Sequence, residues 1–181
     1  MTLKEFNLLY SIAADPADVD RQIQRLDRPA TLCGKDVPEN LNGITYGTLI
    51  QLQQSIAAPT TELTRLTQCA KILIDADITE ESSAEEVFGF SRWLVAQLNG
   101  IAAAFAKVQS QPTAEEVQAG IRELNFGHFG TIDWFARRMG ITDHGEVEQV
   151  PWMRILACMD MDNKTAQYER RLRQVYAQRQ R

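Results

Sequence analysis

Two histidines, His128 and His144, three cysteines, Cys33, Cys69 and Cys158, and the run Asp160-Met-Asp162-Asn163 are the residues whose types could do chemistry. Imidazoles one helical turn apart can share a metal ion, and thiols at C-x-x-C spacing can hold zinc or cycle through a disulfide. Neither spacing occurs. The histidines have no second ligand at H-x-x-x-H distance, and the cysteines are scattered, which predicts reduced cytosolic thiols. Asp160-Met-Asp162-Asn163 starts as a calcium loop does, with carboxylates alternating along a tight turn. Thr165 stands where that loop needs Gly and Arg171 where it needs a bidentate Glu, so the coordination sphere does not close. The run reads instead as a bend or a fresh helix start with Asp162 as N-cap.

Other candidate sites fail on similar grounds. Phe126-Gly-His-Phe-Gly130 contains the G-x-x-G that clamps a nucleic-acid backbone in KH domains. Its middle pair is His-Phe rather than basic, and the surrounding pattern is absent. The pairs Glu80-Glu81, Glu85-Glu86 and Glu115-Glu116 stand at or before expected helix starts, where the helix dipole favours negative charge. No G-x-S-x-G nucleophile elbow and no G-x-x-x-x-G-K-[ST] phosphate loop occurs. We therefore assign no catalytic, cofactor-binding or metal residue and expect a non-enzymatic protein.

Charge distribution carries more information than these motifs. The chain has a formal net charge of -5. Lys164 to Arg181 holds six Lys or Arg against one acid, Glu169, so this segment is +5 and leaves -10 on the remainder. The expected organisation is an acidic helical body over 1–163, with a sub-boundary in the acidic linker 75–83, and a basic helical extension over 164–181. An acidic body with a basic end can pair with another copy of itself or with an acidic partner. The cations also suit a solvated helix C-terminus. The N-terminus lacks the uninterrupted apolar region of a signal peptide, and no window approaches a membrane span. A cytoplasmic protein without membrane contact is expected.

The elements that must position these residues are helices. Thr2-Leu-Lys-Glu5 is a capping box for a helix over 3–14, with Leu3, Phe6, Leu9 or Tyr10 and Ala13 on one face. Asp15-Pro16 starts a second helix to about Leu26. From Asp27 to Gly43 turn residues accumulate, predicting an irregular connection with a short hairpin around Thr31–Val37. A loop of this length is a candidate interaction loop. Helices are expected over 45–57, where the alternation Leu49 to Gln53 fits a strand as well, and over 60–74. Ser83-Ala-Glu-Glu86 opens the central core helix, its face formed by Val87, Phe90, Leu94, Leu98, Ile101, Phe105 and Val108. Gly89 and Gly100 inside it mark close packing or a kink.

Gln111-Pro112 stops that helix, and Thr113-Ala-Glu-Glu116 caps another ending near Leu124. Phe126 to Gly130 reads as a tight turn, Thr131 as the cap of a helix to Met139, and Gly140 as its end. Another helix starts at Thr142 or Asp143, and Pro151 fits the first turn of the last one. About eight helices result, so the class is mainly α.

Two groups of side chains are candidates for partner binding. Of Trp93, Trp134 and Trp152, we expect Trp134 to be the most exposed, sharing a short helix with Arg137 and Arg138. In the C-terminal stretch Trp152, Leu156 and Met159 form one stripe, whereas Met161, Tyr168, Leu172 and Val175 form another displaced from it. That displacement predicts a kink near Asp160–Asn163, or one half packed on the body and the other turned to a different surface. On the projecting half, Tyr168, Arg170, Arg171, Arg173 and Tyr176 are the candidates.

An acidic helical body, then Val150-Pro-Trp-Met-Arg-Ile-Leu156, then Tyr168-Glu-Arg-Arg-Leu172 in a charged final helix, resembles small helical proteins of bacteriophage and prophage structural operons, particularly tail assembly chaperones. The resemblance covers the C-terminal pattern, and the segment 27–43 has no match in it. It implies a protein that binds a tape-measure or tail-tube protein before assembly, through helical surfaces and without catalysis. The alternative is a helical regulatory protein binding nucleic acid through Arg170 to Arg181, which the net charge of the chain disfavours.

Overall fold

The computed structural model describes residues 1–13, 15–109 and 112–179. Among them are nine α-helices: α1 (Leu3–Ser11), α2 (Pro16–Ile23), α3 (Tyr46–Ala57), α4 (Glu62–Ile74), α5 (Ala84–Val108), α6 (Ala114–Gln118), α7 (Gly127–Met139), α8 (His144–Glu148) and α9 (Trp152–Arg179). A ribbon of β1 (Thr31–Leu32) and β2 (Lys35–Asp36) and a 3-10 turn at Ile121–Glu123 complete the list. The protein is mainly α, as its periodicity predicts. By internal contacts it divides into two units, Met1–Leu41 with Thr48–Gly100, and Asn42–Gly47 with Ile101–Arg181. The acidic segment 75–83 belongs to the first unit and the basic segment to the second.

In the first unit, α1 opens with a complete capping box. Glu5 N–H donates to Thr2 Oγ1 at 3.2 Å, and Thr2 N–H donates to Glu5 Oε2 at 2.9 Å. Leu3 N–H donates to Ser82 O and Ala84 N–H to Met1 O, which ties the first residues to the start of α5. Of the expected α1 stripe Leu3 is buried and Phe6 and Ala13 are half-buried, Phe6 edge-on to Phe88 with centroids 4.7 Å apart. Leu9 and Tyr10 are exposed, and the Tyr10 hydroxyl donates to Asp20 of α2. α1 ends at Ser11 with Ile12 at its C-cap, short of the expected end at Ala14, a residue that itself lies outside the described ones. Asp15 caps α2, accepting from Ala17 N–H and Asp18 N–H.

The segment 27–43 forms a hairpin, and its apolar side chains belong to the core. Cys33 (φ 50°) and Gly34 (φ 76°) make a two-residue turn with both central residues left-handed, the geometry that joins twisted strands with least strain. Leu32 and Leu41 are fully buried and Val37 is buried. Backbone groups that an irregular segment leaves without ladder partners are met by side chains of α5. Glu86 Oε2 accepts from Cys33 N–H, Trp93 Nε1 donates to Glu39 O, Gln97 Oε1 accepts from Leu41 N–H, and Arg92 Nη1 donates to Leu26 O. Arg28 adds a bond to Val37 O at 2.7 Å. Gly89 of α5 permits this seating, since a Cβ there would lie 2.6 Å from Asp27 O. Close packing is thus the role of Gly89, whereas Gly100 faces open space.

The strand alternative at Leu49–Gln53 is overturned: α3 is helical, with Leu49, Ile50 and Leu52 buried. Position-by-position burial follows the helical rather than the alternating pattern because both Leu49 and Ile50 point inward. Thr61 caps α4, and Asp75 ends it in the left-handed region. Ala76 and Ile78 beyond it are buried, so the acidic linker is pinned at two apolar points. Along α5, Val87, Phe90, Leu94, Leu98 and Ile101 are buried and Phe105 and Val108 half-buried, the face read from their spacing.

In the second unit, Thr113 and Glu116 complete a capping box for α6. That helix stops at Gln118 rather than near Leu124, because Gly120 takes φ 84° and turns the chain into the 3-10 segment. Gln111, part of the expected stop before it, lies outside the described residues. Phe126 to Gly130 is not a separate turn before a Thr131 cap. Asn125 Oδ1 accepts from Gly127 N–H, Gly130 N–H donates to Phe126 O, and α7 begins one turn earlier. Gly140 closes α7 at φ 68° and Asp143 caps α8, both as read. The core holds Tyr46, Ile101, Ile132, Phe135, Val147, Trp152 and Ile155. Tyr46, Phe105 and Trp152 form a chain of rings 6.0–6.3 Å apart. Tyr46 N–H donates to Val150 O at 2.8 Å, and a Cβ on Gly47 would sit 3.0 Å from Glu148 Cβ.

Candidate functional site

The side chains expected to bind a partner all lie on α7 and α9, within the second unit, whereas most of the candidate loop 27–43 belongs to the first. α9 runs unbroken from Trp152 to Arg179, so the fresh helix start at Asp160–Asn163 is corrected. Asp162 does not cap a helix; its carboxylate is taken by Arg138. Arg138 Nε lies 3.1 and 3.0 Å from the two Asp162 oxygens, and Nη2 lies 3.0 Å from Oδ1. The hydrogen bonds that Arg138 donates to Asp162 push its pKa further up from its ordinary value. Arg138 thereby joins α7 to α9.

With ~100° of rotation per residue, the two apolar stripes of α9 fall on nearly opposite sides of one helix. Trp152 and Ile155 are buried and Leu156 and Met159 half-buried, whereas Met161, Tyr168, Val175 and Tyr176 are exposed. The displaced stripe therefore reflects a turn to a different surface.

The cations of the basic segment divide in two. Lys164 Nζ lies 2.6 Å from Asp160, and Arg170 Nη2 lies 3.0 Å from Glu116 Oε1 of α6. Arg171 and Arg173 are exposed and have no ion pair among the described residues. Arg181 lies outside them. Arg137 pairs along its own helix with Asp133 at 3.0 Å.

Trp134 is half-buried, while Trp93 and Trp152 are buried. It sits between two shallow depressions of about 370 and 300 Å³. One is walled by Val108, Met159 and Asp162, the other by Leu124, Phe126, Thr131 and Met159. Leu124 and Phe126, which wall the second, are exposed, as are Val117, Ile121 and Phe129 of the same unit. Sequence reasoning missed these five residues. The signal was available as a run of large apolar side chains over 117–129 interrupted by Gly120, Asn125 and Gly127, too broken for any one helix face to bury.

The structure thus brings Trp134 and Arg138 against the first half of α9 and leaves Tyr168, Arg171, Arg173 and Tyr176 along its second half. It does not gather them into a pocket. In the first unit, a polar groove of about 560 Å³ is lined by Arg25, Arg28, Thr31, Ser83, Glu85 and Glu86. Several of these groups are spent internally: Arg28 on Val37 O, Glu86 on Cys33 N–H, and Ser83 Oγ on Glu86 N–H. Cys69 is fully buried, and burial pushes its thiol up to about 11, while Cys33 is exposed at the hairpin tip. Among the described residues no group of three or more His, Cys, Asp or Glu is placed to hold a metal ion, and no helix is long and apolar enough to cross a membrane.

No family model, curated protein or solved structure matches this chain.

Proposed function

We propose that this chain is a non-enzymatic assembly or scaffold-type protein that acts through protein–protein contacts, with a phage or prophage tail component as its partner, in the manner of a tail assembly chaperone. The observation that carries the reading is the second half of α9. Tyr168 and Tyr176 stand exposed beside Arg171 and Arg173, which have no ion pair among the described residues, on a helix whose other side is anchored. Tyrosine and arginine are the side chains that most often dominate binding energy, because they combine large area with directed hydrogen bonding. The depressions beside Trp134 add an apolar surface within the same unit. The nucleic-acid reading is weaker, since Lys164 and Arg170 already have carboxylate partners, leaving fewer cations for phosphates.

Co-expression with the tape-measure or tail-tube protein of the same operon tests this reading. The expected result is a complex that survives purification and is lost when Tyr168 and Tyr176 are both changed to Ala. A chain that recovers neither protein, or a complex indifferent to that change, overturns it.

A further inference from the structure

The exposed side of α9 carries a regular repeat along its second half, beyond the packed stripe of Trp152, Leu156 and Met159. Met161, Thr165, Tyr168, Leu172, Val175 and Arg179 follow one another at intervals of four, three, four, three and four residues. Alternation of four and three keeps side chains on one seam when two helices wind around each other. Met161, Tyr168 and Val175 occupy the d positions of this heptad, and Thr165, Leu172 and Arg179 the a positions. The apolar members are exposed or, for Leu172, half-buried. The seam is ~27 Å long at the rise of an α-helix.

The residues flanking the seam identify what covers it. On one side, at the g positions, stand Lys164 and Arg171; on the other, at the e positions, stand Asp162, Glu169 and Tyr176. We infer that the seam pairs in parallel and in register with α9 of a second copy of this chain. In a parallel pair each g residue faces the e residue five positions further along the other helix. Lys164 then meets Glu169 of the partner subunit, and Arg171 lies over the ring of the partner's Tyr176, a cation–π arrangement. Both contacts occur twice by symmetry. An antiparallel pair instead sets Lys164 and Arg171 against the same two cations of the partner. Lys164 exchanges an exposed bond to Asp160 for this contact, at little cost. Thr165 and Arg179 interrupt the apolar seam and make the dimer reversible.

This pairing goes beyond the proposed assembly role, and its test uses the purified full chain alone, so that failure here leaves binding of a tail component untouched. Sedimentation equilibrium up to ~100 µM should show the mass rising from 20.5 kDa toward twice that value. Leu172→Glu with Val175→Glu should weaken association by at least about 100-fold, because both charges enter the seam. Glu169→Lys alone should weaken it about three- to tenfold, and adding Lys164→Glu should restore it. For orientation, Val175→Cys in a Cys33→Ser, Cys158→Ser background should give a disulfide-linked dimer on mild oxidation, since residues 175 meet only in a parallel, in-register pair. A monomer throughout, a dimer indifferent to the glutamates or to the charge reversal, or a dimer without the residue-175 crosslink overturns the inference.

Discussion

Residues 27–43 and residues 161–179 both lie outside the simple stripes that mark the core helices, and they meet opposite fates. The first segment is full of turn residues, yet Val37 is buried, and Leu32 and Leu41 are buried as completely as any residue of α5. The second is a regular helix, yet its repeating apolar side chains face outward. What separates them is the supply of partners nearby. Glu86, Trp93 and Gln97 of α5 each bond a backbone group of the irregular segment, which removes the cost of burying it. Regular secondary structure satisfies its own backbone and needs no such help, so α9 can extend with one side uncovered. Irregular composition therefore does not mark the interaction surface of this molecule, and regularity does not mark its core.

Two leucines, one from each segment, should respond most differently to truncation. Leu41→Ala should cost about 2–5 kcal/mol, the range for deleting a fully buried leucine side chain. Leu172→Ala, measured at concentrations where the chain is monomeric, should cost about 1 kcal/mol or less. Urea denaturation of both variants gives the two values. Equal losses would mean that the second half of α9 is packed as firmly as the loop.

Two glycines of α5 sharpen the same contrast, and they should respond with opposite sign. Gly89→Ala drives a Cβ into Asp27 O at 2.6 Å and Pro29 Cδ at 3.2 Å, so the loop must shift. A loss of about 1–3 kcal/mol is expected from such overpacking. Gly100→Ala meets nothing within 4 Å and removes a flexible residue from a helix interior, so it should stabilise by roughly 0.5–1 kcal/mol. Thermal melts of the two variants decide this, and a stabilising Gly89→Ala would detach the loop from α5.

Much of the fold is legible in the sequence because local chemistry and burial agree there. Thr2-Glu5 and Thr113-Glu116 place two helix starts, Gly140 an end, and the face from Val87 to Ile101 the central helix. Errors arise where tertiary partners override a local signal. Ser83-Glu86 has the letters of a capping box, but the Glu86 carboxylate accepts from the distant Cys33 amide. A second miss is local: α7 begins at Gly127, whose N–H donates to the Asn125 side chain, before the Thr131 cap could act. The site is legible as residue types and less so as roles. Arg138 and Arg170 resemble Arg171 and Arg173 in sequence, and only the fold reveals that Asp162 and Glu116 have claimed them.

That division of the arginines yields the smallest expected effect and the most discriminating one. Reversing Arg170, Arg171 and Arg173 together would confuse two roles, because Arg170→Glu sets a second carboxylate beside Glu116, whose Oε2 already serves the α6 capping box. Arg170→Glu alone should lower stability by about 0.5–1 kcal/mol, the scale of a partly exposed ion pair. Arg171→Glu with Arg173→Glu should leave stability within about 0.5 kcal/mol of the parent, since both side chains are exposed and neither has an ion pair among the described residues. If the cationic side of α9 recognises an acidic partner surface, the double reversal should nonetheless reduce the association rate and its salt dependence. Stopped-flow binding at two ionic strengths, run beside the denaturation curves, separates the outcomes. Unchanged kinetics would make Arg171 and Arg173 a solvated helix end and leave the contact to Tyr168, Tyr176 and the surface around Trp134.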